Sequence, residues 1–321
     1  MPGARSSGRG TARIAVDLLG GDDAPAVVVD GALRACGADP DLRLLLVGPE
    51  KVADEIIDAL PAADRGRVSV LPASRPVGMS DAPARASRPD TTVRAAVSAV
   101  AAGDADAFIS AGASGAIVTA AVLGLGRHPG VRRPALVASM PAVSGPVVLL
   151  DVGASLGANP ATLATHACLG AAYARVVHHV DRPRVGLLSV GTESGKGDRI
   201  RRAAEPVVAA TVLPGDAAFV GLVEGHQVCL GGHADVVVTD GFTGNVLLKG
   251  IEGAFVMAGG SSLAPRAAAL LGVRGIVVVC HGGATGADVA SGIDLAASLH
   301  RDGAGPALAS LLSPLAEAPH E

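Results

Sequence analysis

The stretch RVGLLSVGTESGKGDRIRRAAE (184–205) joins an apolar, strand-like run to a glycine-rich loop and then to a helix-like segment. A single lysine, Lys196, stands between Gly195 and Gly197 in that loop. One interpretation is a solvated turn. The other is an anion site, because a bare loop exposes its backbone N–H groups around one cation. The rest of the sequence distinguishes between the two.

The same order of segments, a short apolar run and then an Ala-rich amphipathic stretch, repeats along the chain. Most runs are continuously apolar rather than alternating, which is typical of strands buried on both faces of a sheet. Strand then helix, repeated, predicts an α/β fold with a largely parallel sheet. The predicted strands are Arg13–Asp17, Arg43–Val47, Val68–Leu71, Ala107–Ser110, Ala135–Met140, Val147–Asp151, Val185–Val190, Asp235–Asp240 and Gly275–Cys280.

Glycine-rich loops follow six of these strands, and each loop leads into a predicted helix. In open α/β sheets, ligands collect beyond the carboxyl ends of the strands, where helix N-termini present free N–H groups to anions. The repetition favours a ligand that carries phosphate or carboxylate. The loops are DLLGGDDAP (17–25), SAGASGA (110–116), DVGASLGANP (151–160), SVGTESGKG (189–197), TDGFTGNV (239–246) and CHGGATGAD (280–288).

The composition argues against several classes of protein. The chain has 321 residues and a net charge of −4, and its scattered basic residues give no reason to expect a nucleic-acid partner. The 4 cysteines include no CxxC pair, which argues against a disulfide framework. Because no metal-ligand spacing such as HExxH occurs, we expect no metal and no cofactor.

The sequence shows neither of the two common targeting segments, a signal peptide or a membrane span. No signal peptide is evident, and no apolar run approaches the roughly 20 residues of a membrane span. We therefore expect a soluble cytoplasmic protein. The expected organisation is a disordered tail over 1–12, a single two-lobed domain over 13–312 and a flexible tail over 313–321.

Common nucleotide-binding and nucleophile motifs do not fit the chain. GTESGKG (191–197) is not a P-loop, because three residues rather than four separate its first glycines and no Ser or Thr follows the lysine. No GxGxxG opens a first βα turn, and no GxSxG elbow occurs. We interpret Ser114 as a small turn residue rather than a nucleophile. His281 fits a catalytic base and a hydrogen-bonded loop residue about equally well.

The candidates that remain in the loops are a lysine, an asparagine at a helix entry, several aspartates and many backbone amides. Such a set suits a reaction in which an anion is itself the nucleophile. Inorganic phosphate needs no protein base at neutral pH, but it needs a cation to hold it and donors for the developing oxyanion. Lys196 is the candidate cation, and Asn245 with nearby amides supplies the candidate donors.

A family resemblance rests on nine stretches that run in order along nearly the whole chain. They are RIAVDLLGGDDAPAVVVDGALRA (13–35), VLPASRPVGMSDAP (70–83), GDADAFISAGASGA (103–116), RRPALVASMP (132–141), VLLDVGAS (148–155), RVGLLSVGTESGKGDRIRRAAE (184–205), FVGLVEG (219–225), ADVVVTDGFTGNVLLKGIEG (234–253) and LLGVRGIVVVCHGG (270–283). With them the chain resembles the bacterial phosphate acyltransferases of phospholipid synthesis, the PlsX family.

The resemblance implies a fold, an assembly and a reaction. The fold is three-layer α/β/α, like that of isocitrate and isopropylmalate dehydrogenases and phosphotransacetylases, with two lobes around an active-site cleft. The assembly is a homodimer. The reaction moves an acyl group from acyl carrier protein to inorganic phosphate and gives acyl-phosphate.

The resemblance also implies site residues. The family's catalytic lysine and asparagine correspond to Lys196 and Asn245. Asp151 and Asp240 are expected mainly to fix loops, with a direct ligand role as the alternative. The residues expected to bind phosphate or substrate are Gly20, Gly21, Asp22, Gly112, Ser114, Gly115, Asp151, Gly195, Gly197, Asp240, Gly244, His281 and Gly282.

The chain departs from the family pattern at several polar positions. Asp23 stands where the family has histidine, Ala113 and Ser114 where it has Asn-Thr, and Asn159 where it has lysine. A basic run is thinned to RASRPDTT (85–92). Neutral drift and a changed substrate both explain such departures.

The largest departure is a deletion. Where the family has a long helical hairpin associated with membrane contact, this chain has VMAGGSSLAPRAAA (256–269). That segment is too short for a long amphipathic pair. We therefore expect weak or no membrane contact.

Three functions are compatible with these patterns. The first is transfer of an acyl group from acyl carrier protein to phosphate. The second is a divergent paralogue of a specialised pathway that uses another acyl donor or acceptor. The third is a non-catalytic dimer that binds carrier protein, against which the retention of Lys196 and Asn245 argues.

Overall fold

The computed structural model of the chain describes residues 10–260 and 265–316. The predicted N-terminal and C-terminal tails fall mainly on residues 1–9 and 317–321, which lie outside the described residues.

Strands and helices alternate along the described chain. The strands are β1 (Ala12–Asp17), β2 (Leu42–Gly48), β3 (Val68–Pro72), β4 (Ala107–Ser110), β5 (Ala135–Met140), β6 (Val147–Leu150), β7 (Arg184–Ser189), β8 (Ala218–Glu224), β9 (Val236–Val238), β10 (Ala267–Leu271) and β11 (Ile276–Cys280). The α-helices are α1 (Ala26–Ala38), α2 (Glu50–Ala59), α3 (Thr92–Ala102), α4 (Ser114–Gly124), α5 (Pro160–Val177), α6 (Arg199–Ala210), α7 (Gly225–Leu230), α8 (Gly241–Met257), α9 (Gly286–Arg301) and α10 (Ala304–Leu312).

Every predicted strand is present, with ends that shift by two residues at most. Each of the six glycine-rich loops leads into a helix as predicted, namely α1, α4, α5, α6, α8 and α9. Two strands, β8 and β10, were missed. Gly221 and a register shift interrupt β8 at the edge of its sheet. The alanines of β10 favour a helix locally, and its antiparallel pairing with β5 makes it a strand instead.

The first of two compact units holds, among the described residues, 10–120 and 275–303. Its strands have the order β3-β2-β1-β4-β11, and all the pairings between them are parallel. Every residue of β4 is buried. Successive side chains of a strand point to opposite faces, so this continuous burial requires cover on both faces. Helices α3 and α9 both pack against β1 and β4.

The second unit holds residues 121–260, 265–274 and 304–316 of the described chain. Its strands have the order β10-β5-β6-β9-β7-β8. Here β5 runs antiparallel to both neighbours, whereas β6, β9, β7 and β8 are mutually parallel. Every residue of β6 and of β9 is buried. Helix α5 packs against β9, β6 and β7, and helix α8 packs against β6.

Few residues separate α8 from β10, where the sequence analysis expects a deletion. Helix α8 ends at Met257 and β10 begins at Ala267. Residues 261–264 lie outside the described residues. Among the residues that are described, no helix is both long and apolar enough to cross a membrane.

Candidate functional site

The six glycine-rich loops divide evenly between the two units. In the first unit the strands β1, β4 and β11 are neighbours and parallel, so the loops after them emerge at one sheet edge. In the second unit the same holds for β6, β9 and β7. The second unit carries both predicted catalytic residues, because Lys196 follows β7 and Asn245 follows β9.

Asp151 organises the loop that follows β6. It is fully buried, with an exposed fraction of 0%. Its Oδ1 accepts hydrogen bonds from the backbone N–H groups of Leu136 (3.0 Å), Gly153 (3.0 Å) and Ala154 (2.8 Å). Its Oδ2 accepts from the backbone N–H and the hydroxyl of Ser155, both at 2.9 Å. These are the contacts of a loop-fixing residue.

Asn245 lies in the first helical turns of α8, directly over that loop. Its Nδ2 donates to the carbonyl oxygen of Val152 at 3.0 Å. The backbone N–H of Gly241 donates to the carbonyl oxygen of Ser155 at 2.9 Å, which ties the start of α8 to the same loop. Within the described part of the chain, no further side-chain hydrogen bond engages the Asn245 amide. Its second N–H is therefore available to a substrate.

A glycine allows α8 to approach the loop this closely. A Cβ at Gly244 would overlap the carbonyl oxygen of Asp151, and it would lie 2.9 Å from Cγ2 of Thr239. Both the helix and the loop would have to shift to accommodate it. The role of Gly244 in this structure is therefore steric.

Asp240 begins α8 as its N-cap residue. Its Oδ1 accepts from the backbone N–H of Thr243 at 2.9 Å, and its Oδ2 accepts from the Thr243 hydroxyl at 2.8 Å. Burial opposes ionisation of this carboxyl, but its hydrogen bonds from Thr243 and from Arg201 outweigh burial and lower its pKa. Asp240 is thus a negatively charged cap at a helix N-terminus.

Lys196 lies at the tip of the loop between β7 and α6. Its backbone N–H donates to the carbonyl oxygen of Glu193 at 3.1 Å, which closes a turn. The flanking Gly195 and Gly197 have φ values of +82° and +94°, a left-handed region in which glycine carries no steric penalty. The Lys196 side chain is exposed. None of the residues that the structure describes pairs with its ammonium group, which leaves the charge available to an anion.

The predicted binding residues of the first unit also come together. The backbone N–H of Asp22 donates to the carbonyl oxygen of Gly282 at 2.8 Å, which joins the loops after β1 and β11. A Cβ at Gly20 would lie 2.9 Å from the backbone nitrogen of Gly112, so the backbones of the loops after β1 and β4 are in close contact as well. The predicted residues carried by these loops and by the first turn of α4 are Gly20, Gly21, Asp22, Gly112, Ser114, Gly115, His281 and Gly282.

The sequence analysis missed two polar residues that support these first-unit loops. Asp17, 2% exposed, accepts a hydrogen bond from the Ser110 hydroxyl at 2.7 Å. The Ser110 oxygen in turn accepts from the backbone N–H of Gly112 at 3.0 Å. Both residues end apolar strands, and that position is the signal that could have identified them. Burial raises the pKa of Asp17.

The raised pKa of Asp17 predicts how the stability difference between the wild type and Asp17→Asn depends on pH. The folded chain holds the Asp17 proton more tightly than the unfolded chain does. Its contribution to stability is therefore present at low pH and is lost as the pH rises through the raised pKa. We expect the wild-type free energy of unfolding, relative to that of Asp17→Asn, to fall as the pH rises from about 4, the ordinary carboxyl value, through the raised pKa, in urea titrations at a series of pH values.

Asp235→Asn is the control, because the pKa of Asp235 is shifted in the opposite direction and the stability it contributes should depend on pH in the opposite way. Burial opposes ionisation of Asp235, but hydrogen bonds from Arg184 outweigh it and lower the pKa. The stability that Asp235 contributes is lost as the pH falls through that lowered pKa. A pH-independent difference for Asp17→Asn would show that Asp17 does not titrate as its burial implies.

One of the departures from the family pattern has a structural role here. Asn159 is the N-cap of α5, and its Oδ1 accepts from the backbone N–H of Thr162 at 2.8 Å. Ser114 is the first residue of α4, and Asp23 is exposed in the loop before α1.

A cleft of about 450 Å³ lies at the carboxyl ends of β2 and β3, and its lining contains none of the predicted site residues. Among residues 10–260 and 265–316, no group of three or more His, Cys, Asp or Glu side chains could hold a metal ion.

Comparison with known proteins places the chain among acyltransferases. Residues 12–260 match the model of the family described as "Fatty acid synthesis protein". The phosphate acyltransferase of Anaeromyxobacter dehalogenans is 45% identical over 244 residues, which is 75% of this chain and 66% of that protein. The phosphate acyltransferase of Pseudomonas putida is 38% identical over 305 residues, or 84% of this chain and 89% of that protein.

A solved structure agrees with the fold. A phosphotransacetylase from Streptococcus pyogenes superposes with a TM-score of 0.65 at 18% identity, covering 90% of this chain and 94% of that one. This likeness confirms the three-layer α/β/α fold that the resemblance implied.

Proposed function

The chain belongs to the phosphate acyltransferase family of enzymes, and from this premise we propose that it transfers an acyl group from a thioester to inorganic phosphate. The observation that carries the proposal is that two adjacent parallel strands, β7 and β9, lead to an available ammonium group, Lys196 in the loop after β7, and to an available amide N–H, Asn245 at the start of α8. The backbone N–H groups of Gly195 and Lys196 donate within the protein, to Oε2 of Glu205 and to the carbonyl oxygen of Glu193, so the ammonium group is what this loop offers to phosphate.

In the proposed reaction, Lys196 holds phosphate and Asn245 binds the thioester carbonyl oxygen or the phosphate. A phosphate oxygen attacks the carbonyl carbon, and the C–O bond forms as negative charge develops on the carbonyl oxygen. The tetrahedral intermediate then collapses, the C–S bond breaks, and the thiolate leaves with the electron pair and takes a proton from water. Lys196 and Asn245 act mainly by stabilising charge in a preorganised geometry.

Apolar side chains next to the candidate site support an acyl substrate. Leu156 is 81% exposed in the loop after β6, Val190 is 80% exposed in the loop after β7, and Phe242 is 61% exposed in the first turn of α8. These are the three elements that carry Asp151, Lys196 and Asn245. Large exposed apolar side chains on all three of these elements suit a surface that binds an apolar partner such as an acyl chain.

The proposed acyl donor is acyl carrier protein, as the family resemblance implies. A second candidate function, a paralogue with another donor or acceptor, is favoured by one observation. Ala113 is the last residue of the loop before α4, where the family has an asparagine, so one amide donor is missing from the first-unit loops. The homodimer stays a prediction.

The test is trapping of acyl-phosphate with hydroxylamine after incubation with acyl-carrier thioesters and phosphate. We expect hydroxamate formation that requires both substrates, with one thiol released for each acyl group transferred. Acyl-coenzyme A in place of the carrier thioester identifies the donor. Carrier binding without turnover would favour the non-catalytic dimer, and thiol release without phosphate dependence would favour another acceptor.

A further inference from the structure

Arg201 is a buried cation directly behind the Lys196 loop. The residue lies in the first turn of α6 and is only 8% exposed. Its Nη1 donates to Oδ2 of Asp198 at 2.9 Å. Its Nη2 donates to the hydroxyls of Thr239 (3.0 Å) and Thr243 (3.2 Å) and to Oδ2 of Asp240.

These partners belong to two different elements. Asp198 is the N-cap of α6 and follows Lys196 by two residues, and its Oδ1 accepts from the backbone N–H of Arg201 at 2.7 Å. Thr239 and Asp240 connect β9 to α8, and Thr243 lies in the first turn of α8. A single guanidinium therefore joins the base of the Lys196 loop to the N-terminus of the helix that carries Asn245.

Gly197 brings the loop down onto the stem of Arg201. With φ at +94°, a Cβ at Gly197 would lie 2.7 Å from Cβ of Arg201 and 2.8 Å from Oγ of Ser189. The neighbouring Arg202 donates from Nη1 to the carbonyl oxygen of Gly197 at 3.1 Å. Gly197, the neighbour of Lys196, is therefore held by two residues in the first turn of α6, Arg201 and Arg202.

We propose that Arg201 is a positioning residue that sets the distance and orientation of Lys196 relative to Asn245. The inference rests on the proposed function for its kinetic consequences and on the described contacts for its geometry. A buried ion pair contributes little net stability compared with an apolar pair, whereas the planar guanidinium fork constrains the angles between its partners. A lysine has one rotatable donor group and cannot hold both elements in the same way.

The test replaces both Arg201 and its buried partner Asp240, so that neither buried charge is left without the other. The double variant Arg201→Met, Asp240→Asn keeps an N-cap at α8, because asparagine caps helices as well as aspartate does. We expect its kcat for acyl-phosphate formation to fall by about tenfold to a hundredfold, because catalysis is sensitive to misplacement of about 1 Å. The KM for the thioester should change by less than the kcat. The single variant Arg201→Lys, which keeps Asp240, should recover less than half of the difference in kcat between the wild type and the double variant.

The same double substitution in the Lys196→Ala variant distinguishes a positioning role from general destabilisation. Where Lys196 is already replaced by alanine, there is no ammonium group to position. We therefore expect the double variant to lower the residual rate of Lys196→Ala by less than about twofold, because residues that act as a unit are strongly non-additive. Equal fold losses in the two backgrounds would overturn the proposal.

The Arg184–Asp235 pair is the matched control. Arg184 Nη2 lies 2.7 Å from Oδ1 of Asp235, in the same unit. Arg184 begins β7, and so it lies at the strand end opposite the Lys196 loop. The double variant Arg184→Met, Asp235→Asn should leave kcat within about twofold of wild type, because nothing near the reacting groups changes.

Hydrogen exchange gives a readout that does not require activity. The Arg201→Met, Asp240→Asn variant should speed amide exchange in residues 190–198 and 240–246 together, and the Arg184 control should not. If the wild type forms no acyl-phosphate, the proposed function fails while this readout still tests the coupling. Faster exchange in one segment alone, or in neither, would overturn the role of Arg201.

Discussion

Replacing Lys196 by methionine should lower the rate of acyl-phosphate formation by about two to three orders of magnitude, the scale of losing one preorganised group that stabilises the transition state. Lys196 is the one lysine of the candidate site, and the described residues do not neutralise its charge. Methionine keeps the length and much of the apolar stem and removes only the ammonium. The rate should be measured by hydroxylamine trapping at saturating thioester over a range of phosphate concentrations.

The phosphate dependence tells which state Lys196 stabilises. A fall in kcat with little change in the KM for phosphate indicates a contact made in the transition state, and a rise in KM alone indicates ground-state binding. Lys196→Arg keeps the charge with a different donor geometry, so we expect a rate between those of wild type and Lys196→Met.

Lys51→Met is the matched control for charge removal. Lys51 is an exposed lysine of α2 in the first unit, and its loss should leave the rate within about twofold of wild type. Wild-type turnover by Lys196→Met would show that the glycine-flanked lysine is a solvated turn after all.

Replacing Gly244 by alanine should have the largest effect on both folding and activity of any single methyl group added to α8. The new Cβ would overlap the carbonyl oxygen of Asp151, a backbone atom that cannot rotate away. We expect the free energy of unfolding to fall by about 3 kcal/mol, at the upper end of the usual range for overpacking. Because the next residue is Asn245, its 3.0 Å hydrogen bond to Val152 should be lost with the shift of the helix.

Gly250→Ala is the control on the same helix. A Cβ at Gly250 would have no atom within 4 Å, and alanine is favoured over glycine inside a helix by about 1 kcal/mol. We therefore expect Gly250→Ala to raise the urea midpoint slightly with wild-type activity, and Gly244→Ala to lower it with an unchanged m-value. Equal stabilities for the two variants would mean that α8 does not depend on its contact with the loop after β6.

The alternation of strands and helices and the six loops could be predicted from the amino-acid sequence alone, and the structure confirms both. Lys196 and Asn245 were chosen from the same sequence, and their catalytic role stays a prediction. These features depend on local signals. A continuous apolar run such as that of β6 predicts a buried strand, and glycine-rich turns that repeatedly precede helices favour an anion site. The order of the family's motifs added the fold and the reaction class.

Only the tertiary structure decided how these pieces combine. It paired the Ala-rich β10 with β5 as a strand, against local propensity. It also placed Arg201 against Asp240, which is 39 residues away in sequence, and Ser110 against Asp17, which is 93 residues away. Such partners depend on strand order, and strand order depends on which apolar faces pack together over the whole chain, information that no local stretch contains.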